Sequence, residues 1–318
     1  MAITKVLKKI PCFREFDPSV LEPIAEACNT MFFNEEERVF RKGDQANKMF
    51  FIQEGIVDVV GFSPSKSQFV LSSKEPGEFF GAMEMLTGTP RSTTVKARKN
   101  LMALVLDHRG FLDILAKSPS SALCLLKTIG RSLSERIRQL NEQFIFTRAI
   151  ASTLDNLELN RQQILEGHPD ALIARSLDTP TLEFFEKLGP GMTLGPDEVI
   201  IPEGGRQRDF YVLLEGEAVV KKSLRSGSEM VLAFLKPGCI FGEMSFLDHG
   251  SRSAQVTSLT PVKLAAFWEK RMIVLEKTDI RHLNLIYLGI IRQIISNRDH
   301  TSQGYREITP AIEKTCLR

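Results

Sequence analysis

A chain of 318 residues is about twice the length of a common domain, and 43% apolar with 25% charged residues is the make-up of an ordinary folded protein in two parts. Its formal charge of +2 gives no general attraction to polyanions, so nucleic acid is not expected as a partner. The five cysteines (Cys12, Cys28, Cys124, Cys239 and Cys316) are dispersed, without a CxxC pair or a histidine cluster at metal spacing; reduced thiols, no metal site and a cytoplasmic setting are expected.

The amino-terminal segment lacks the continuous apolar stretch of a secretory signal, and no run of about 18 apolar residues could span a bilayer. Direct membrane insertion is therefore not expected. Val6, Leu7, Ile10, Leu21, Ile24 and Ala25 recur at helical spacing around breaks at Pro11 and Pro18, which predicts short helices first. From about Met31 to Leu106 the pattern turns to short runs, MFF, MFFIQ, GIVDVVGF, QFVLS and LMALVL, separated by Gly, Pro, Ser and Lys clusters. Strands at this spacing predict a β-barrel or sandwich. Leu126, Ile129, Leu133, Ile137, Leu140 and Phe144 then mark a helix whose apolar stripe suits either a core or a helix dimer.

The second half repeats this order. VIIPEG, DFYVLLEGEAVVKK, MVLAFLKPG and VKLAAFW read as strands, and Ile280 to Asn297 as a helix. The expected division is a first domain over 1–145, a helical connection over 146–180 with its linker near Glu166 to Pro180, and a second domain over 181–318. The expected fold class is α+β, with two jelly-roll-like β-barrel domains, each flanked by helices. Only about 20 residues follow Arg298, too few for a further output domain.

FFGAMEMLTGTPRSTTV, ending at Val95, and IFGEMSFLDHGSRSAQV, ending at Val256, are one segment written twice. Gly242 stands 161 residues after Gly81, and the same offset relates Arg252 to Arg91, Gly216 to Gly55, Pro237 to Pro76 and Gly204 to Gly43. In the second copy a glycine opening a short helix leaves backbone N–H groups free for an anion such as phosphate. Arg252 would neutralise it with a fork of donors, and the Ser253 hydroxyl could add a hydrogen bond. Glu243 can only accept, so its natural partner is a ligand hydroxyl such as a ribose 2′-OH. One phosphate, one ribose hydroxyl and an apolar lining describe a nucleotide of low charge.

This segment resembles the phosphate-binding cassette of the cyclic nucleotide-binding domain family, which includes bacterial catabolite activators and regulatory subunits of cAMP-dependent kinase. The match runs through Phe241, Gly242, Glu243, Ser245, Arg252, Ser253, Ala254 and Val256, and extends to Gly204, Gly216 and the Pro237–Gly238 turn. The resemblance implies a ligand site of Phe241, Gly242, Glu243, Met244, Ser245, Arg252, Ser253 and Ala254 for cAMP, or for cGMP. It implies a helix closing over the purine, with Ile290, Ile291, Ile294 and Ile295 as candidates for the cover. A bacterial, cytoplasmic regulator acting on an effector protein or through a homodimer is then expected.

The first copy departs from the pattern at two places. Ala82 stands where the ribose-binding Glu would be, and Glu84 where the family has a small residue. Losing the carboxylate removes a charge-assisted hydrogen bond worth on the order of 1.5–3 kcal/mol. Glu84 adds repulsion toward phosphate, or pairs with Arg91 and occupies the anion position itself. Gly81, Ala82, Glu84, Arg91 and Ser92 thus form a degenerate second site, with a structural ion pair at Arg91 the leading expectation. Trp268 reads as core. Lys221, Lys222, Arg206 and Arg208 read as solvated charges, and His249 as a loop residue. No nucleophile elbow, phosphate loop or HExxH motif is present, so no enzyme activity and no cofactor are expected. The alternative function is a ligand-independent interaction module in which both repeats are structural.

Overall fold

The computed structural model describes residues 4, 7–8, 10–62, 68–154, 177–224, 227 and 229–295. Most of the expected connection over 146–180 and the tail beyond Ile295 lie outside the described residues. The chain separates into two compact units, Met1–Ile129 and Gly130–Arg318.

In the first unit, α1 (Pro18–Ala27) starts where Asp17 accepts from the Ser19 N–H at 2.9 Å and Pro18 presets the first turn. The strands are β1 (Cys28–Phe33), β2 (Arg38–Phe40), β3 (Lys48–Phe62), β4 (Gln68–Lys74) and β5 (Phe79–Phe80). Next come α2 (Ala82–Thr87), β6 (Thr94–Asp107), α3 (His108–Lys117) and α4 (Pro119–Leu154), of which α4 runs on into the second unit. Six strands form one sheet in the order β1-β6-β3-β4, with β2 on β6 and β5 on β3. The MFFIQ and GIVDVVGF runs are thus one strand rather than two. Gly55 makes this possible at φ 93°, because a Cβ there would stand 2.1 Å from the Asn100 carbonyl oxygen while the ladder shifts register on both sides. The core gathers Phe33, Phe50, Phe80, Val95, Leu101 and Val105, with Phe40 packed against it.

The second unit adds α5 (Thr179–Leu188), β7 (Gly191–Leu194), β8 (Val199–Ile201), β9 (Phe210–Glu215), β10 (Ala218–Ser223), β11 (Glu229–Leu235) and β12 (Ile240–Phe241). After them come α6 (Glu243–Asp248), β13 (Gln255–Ser258), β14 (Val262–Phe267), α7 (Glu269–Thr278) and α8 (280–295). Here two four-stranded sheets form, β11-β10-β13-β8 and β12-β9-β14-β7. The core draws on both, from Ile201, Ala218, Leu235 and Val256 of one and Leu213, Phe241, Val262 and Leu264 of the other.

The two expected β-barrels are corrected by this topology: the sheets are open. In the first unit β1 and β4 end the path, paired to β6 and β3 alone, and in the second β11, β8, β12 and β7 each have a single neighbour. Closure requires every edge strand to find a second partner. The chain instead changes sheets at Gly216 (φ 85°), where a Cβ would lie 2.2 Å from the Pro261 carbonyl oxygen, so β9 and β10 join different ladders.

Trp268 is a second correction. It caps α7 and is 41% exposed rather than core, because the core-facing aromatic of this strand end is its neighbour Phe267 at 1%. Among the described residues no helix is long and apolar enough to cross a membrane, and no group of three or more His, Cys, Asp or Glu side chains is placed to hold a metal ion.

Candidate functional site

The two cassettes share one scaffold. Gly242 opens α6 at φ 80° and Gly81 opens α2 at φ 79°, a left-handed turn that a side chain would strain. Against each glycine lies a buried arginine. Arg252, 4% exposed, donates from Nη1 to the Gly242 carbonyl at 2.6 Å and from Nη2 to the Asp209 carbonyl. Arg91, 3% exposed, repeats both bonds, to the carbonyls of Gly81 at 2.7 Å and of Lys48. The backbone around each arginine also matches, since Gly204 N–H donates to the Arg252 carbonyl and Gly43 N–H to that of Arg91. In both copies the guanidinium Nε is buried without a hydrogen-bond partner.

The surroundings of the two arginines then diverge. In the first copy the Glu84 carboxylate accepts from the Ser92 hydroxyl at 2.6 Å and stands 3.7 Å from Arg91 Nη1. The Phe40 ring covers the same guanidinium, with its centroid 4.2 Å from Cζ. Burial pulls Arg91 below its usual value, opposed by the charges of Glu84 and Asp44. In the second copy the position of Phe40 is Ile201 and that of Glu84 is Ser245, which is 2% exposed. Among the described residues Arg252 makes no ion pair. Burial pulls it down as well, with Tyr211, Asp209 and Glu243 acting in the other direction.

Glu243 keeps part of its surface exposed while its carboxyl is desolvated. Burial pushes it up to about 7, against the smaller influences of its own backbone N–H, Arg252 and Arg138. Such a carboxyl is only partly ionised near neutral pH, and a donor brought to it favours the charged form. A hydroxyl arriving there together with an anion at Arg252 would meet an acceptor and a cation in one place.

Of the remaining sequence-selected residues, Phe241 and Ala254 are buried, Gly242, Met244 and Ser253 are half-buried, Ala82 is buried and Ser92 is exposed. Ile290, Ile291, Ile294 and Ile295 are all buried. His249 is the left-handed residue closing α6, as a loop residue would be. Lys221, Lys222 and Arg208 are half-exposed and ion-paired to Glu229, Glu203 and Glu269. Sequence reading passed over Phe40, Ser134, Arg138 and Asp248. The available signal was the four-residue spacing of Ser134 and Arg138, which sets both on one face of α4.

Residues 30–118 and 192–279 match the cyclic nucleotide-binding domain family, and the chain belongs to that family, carrying its domain twice. Both matched segments belong to a family of regulatory domains that are not catalytic. The cAMP-dependent protein kinase regulatory subunit of Yarrowia lipolytica is 24% identical over 253 residues, which cover 80% of this chain and 55% of that protein, so the chain spans about half the length of this curated relative. Among solved structures, the regulatory domain of Toxoplasma gondii PKA with cAMP is 18% identical, covers 88% of this chain and 93% of its own, and has a TM-score of 0.33. The regulatory subunit of a cAMP-independent protein kinase A from Trypanosoma brucei is 21% identical, with 98% and 94% covered and a TM-score of 0.32.

Proposed function

We propose that this protein is a cytoplasmic cyclic nucleotide receptor that binds cAMP, in preference to cGMP, in its second repeat and signals to an effector protein. The observation that carries this reading is Arg252: a buried guanidinium with backbone carbonyls for partners, an orphaned Nε and no ion pair among the described residues. Burying an uncompensated charge is costly, so the site favours an anion of one negative charge. Glu243 and Ser253 supply the acceptor for a ribose hydroxyl and a further donor for the phosphate. Phe241, Gly242, Met244, Ser245 and Ala254 shape the approach.

The first repeat is read as self-occupied. The Glu84 carboxylate takes the Ser92 hydroxyl and faces Arg91, the position a phosphate would need, while Phe40 fills the space over the guanidinium. The test is thermal melting with cAMP, cGMP and AMP. A rise specific to cyclic nucleotides that vanishes in Arg252→Ala is the expected result, whereas no shift at millimolar cAMP refutes the receptor reading. Tight, stoichiometric cAMP binding by a Glu243→Ala, Arg252→Ala double variant would instead place a working site in the first repeat.

A further inference from the structure

The second compact unit begins at Gly130, inside α4, so Ser134 and Arg138 belong with the second cassette. Asp248, the last residue of α6, has a side chain only 4% exposed and gathers four hydrogen bonds. Arg138 grips it with a two-pronged fork, Nε to Oδ2 at 2.5 Å and Nη2 to Oδ1 at 3.0 Å. The Ser134 hydroxyl donates to Oδ2 at 2.7 Å, with the Met244 carbonyl a second acceptor at 3.2 Å, and Gly250 N–H donates to Oδ1 at 2.8 Å. Burial alone would raise the Asp248 carboxyl, but Arg138, Gly250 and Ser134 together hold it below its ordinary value.

The contact is shaped for this fork. A Cβ on Gly130 would meet Leu247 Cδ2 at 2.9 Å, and one on Gly250 would meet Arg138 Nη2 at 3.1 Å, so two glycines let α4 and the cassette approach. Arg138 Nη2 also reaches the Ser245 hydroxyl at 3.3 Å, inside the segment that would face the anion. Among the described residues the first repeat shows no equivalent: Thr87 and Thr89 stand where Asp248 and Gly250 do. Thr87 turns its hydroxyl to the Met83 carbonyl of its own helix.

We infer that the Arg138–Asp248–Ser134 cluster is a latch that joins the nucleotide cassette of the second repeat to helix α4, making Arg138 a positioning residue of that site and α4 the element that responds to its occupancy. The inference rests on the receptor reading above. Ser245 connects the two, since it belongs to the cassette and its hydroxyl accepts from Arg138. An anion drawn to Arg252 and Ser245 changes what Ser245 offers Arg138, and by linkage any change in the α4 contact returns to the site as a change in affinity. A bidentate fork suits this role because it fixes orientation as well as distance, which a lysine would not do.

The experiment is a double-mutant cycle on the full chain with Arg138→Gln and the near-isosteric Asp248→Asn, read by calorimetric titration with cAMP and by hydrogen exchange with and without cAMP. Each single variant is expected to bind cAMP about tenfold more weakly and the double variant no worse than either, the signature of one shared interaction. In the wild type cAMP is expected to slow exchange over 130–142 as well as over α6; in Asp248→Asn the slowing stays on α6 and is lost from 130–142. Ser134→Ala, the mildest change, is expected to show the same separation at smaller size. Additive losses in the cycle, or undiminished protection of 130–142 in Asp248→Asn, overturn the latch while leaving the receptor intact. Absence of Arg252-dependent cAMP binding in the wild type overturns the receptor reading and the latch with it.

Discussion

The two cassettes hold their arginines by the same two backbone carbonyls and differ in what faces the remaining edge of the guanidinium. Arg91 has a carboxylate at 3.7 Å and an aromatic ring at 4.2 Å, while Arg252 has a serine and an isoleucine at those positions. A buried guanidinium needs a counter-charge; the chain supplies one internally in the first repeat, whereas among the described residues Arg252 has no ion pair in the second. The lesson is that an anion site is defined less by its cation, which both copies retain, than by whether the protein has already satisfied it.

The strongest test of this comparison converts one copy into the other. Phe40→Ile, Ala82→Glu and Glu84→Ser together are expected to raise cAMP stoichiometry from one to two per chain by calorimetry; a value that stays at one breaks the comparison. Next in size, Arg252→Ala is expected to weaken cAMP binding by at least about a hundredfold, through loss of a buried charge-assisted contact. Arg91→Ala is expected to leave binding unchanged and to destabilise the first repeat by on the order of 3 kcal/mol in urea unfolding, because Glu84 is left without its cation.

A third test uses pH. Glu243 sits at about 7 instead of 4.5, so below about pH 7 it is mostly protonated and a ribose hydroxyl meets a neutral acceptor instead of the stronger, charged carboxylate. cAMP affinity is therefore expected to fall about tenfold between pH 8 and pH 6, with Arg252, Arg138 and Asp248 the charged groups around the carboxyl, and Glu243→Gln is expected to flatten the profile. For stability without nucleotide the sign is opposite. A carboxyl raised in the fold contributes stability that is fully present below about pH 4.5 and is lost as pH rises through about 7. The smallest effect is expected from the hydroxyl pair: Ser253→Ala weakens cAMP binding about fivefold, whereas Ser92→Ala costs the first repeat only about 1 kcal/mol of stability.

Much of this was legible in the chain itself. The repeat, the glycine at the head of each cassette helix, the arginine ten residues on and the exchange of Ser for Glu84 are local patterns, and the structure gives each a definite geometry. The pairing of Glu84 with Arg91 was legible too, because the two lie seven residues apart in a segment with few ways to fold. Phe40 and Arg138 were not. Each reaches its cassette from an element far along the chain, Arg138 across 110 residues to Asp248, and nothing in the spacing of either reveals the partner.

What the sequence alone determined is therefore the domain family, its duplication and the inequality of the two cassettes, since turn glycines and short motifs encode backbone conformations that neighbouring residues enforce. The tertiary structure decided that the sheets stay open instead of closing into barrels, that Trp268 faces outward, and that α4 grips the second cassette. Those outcomes depend on which edges and side chains meet after packing, where hydrogen-bond partners are chosen by proximity in space and not by order along the chain.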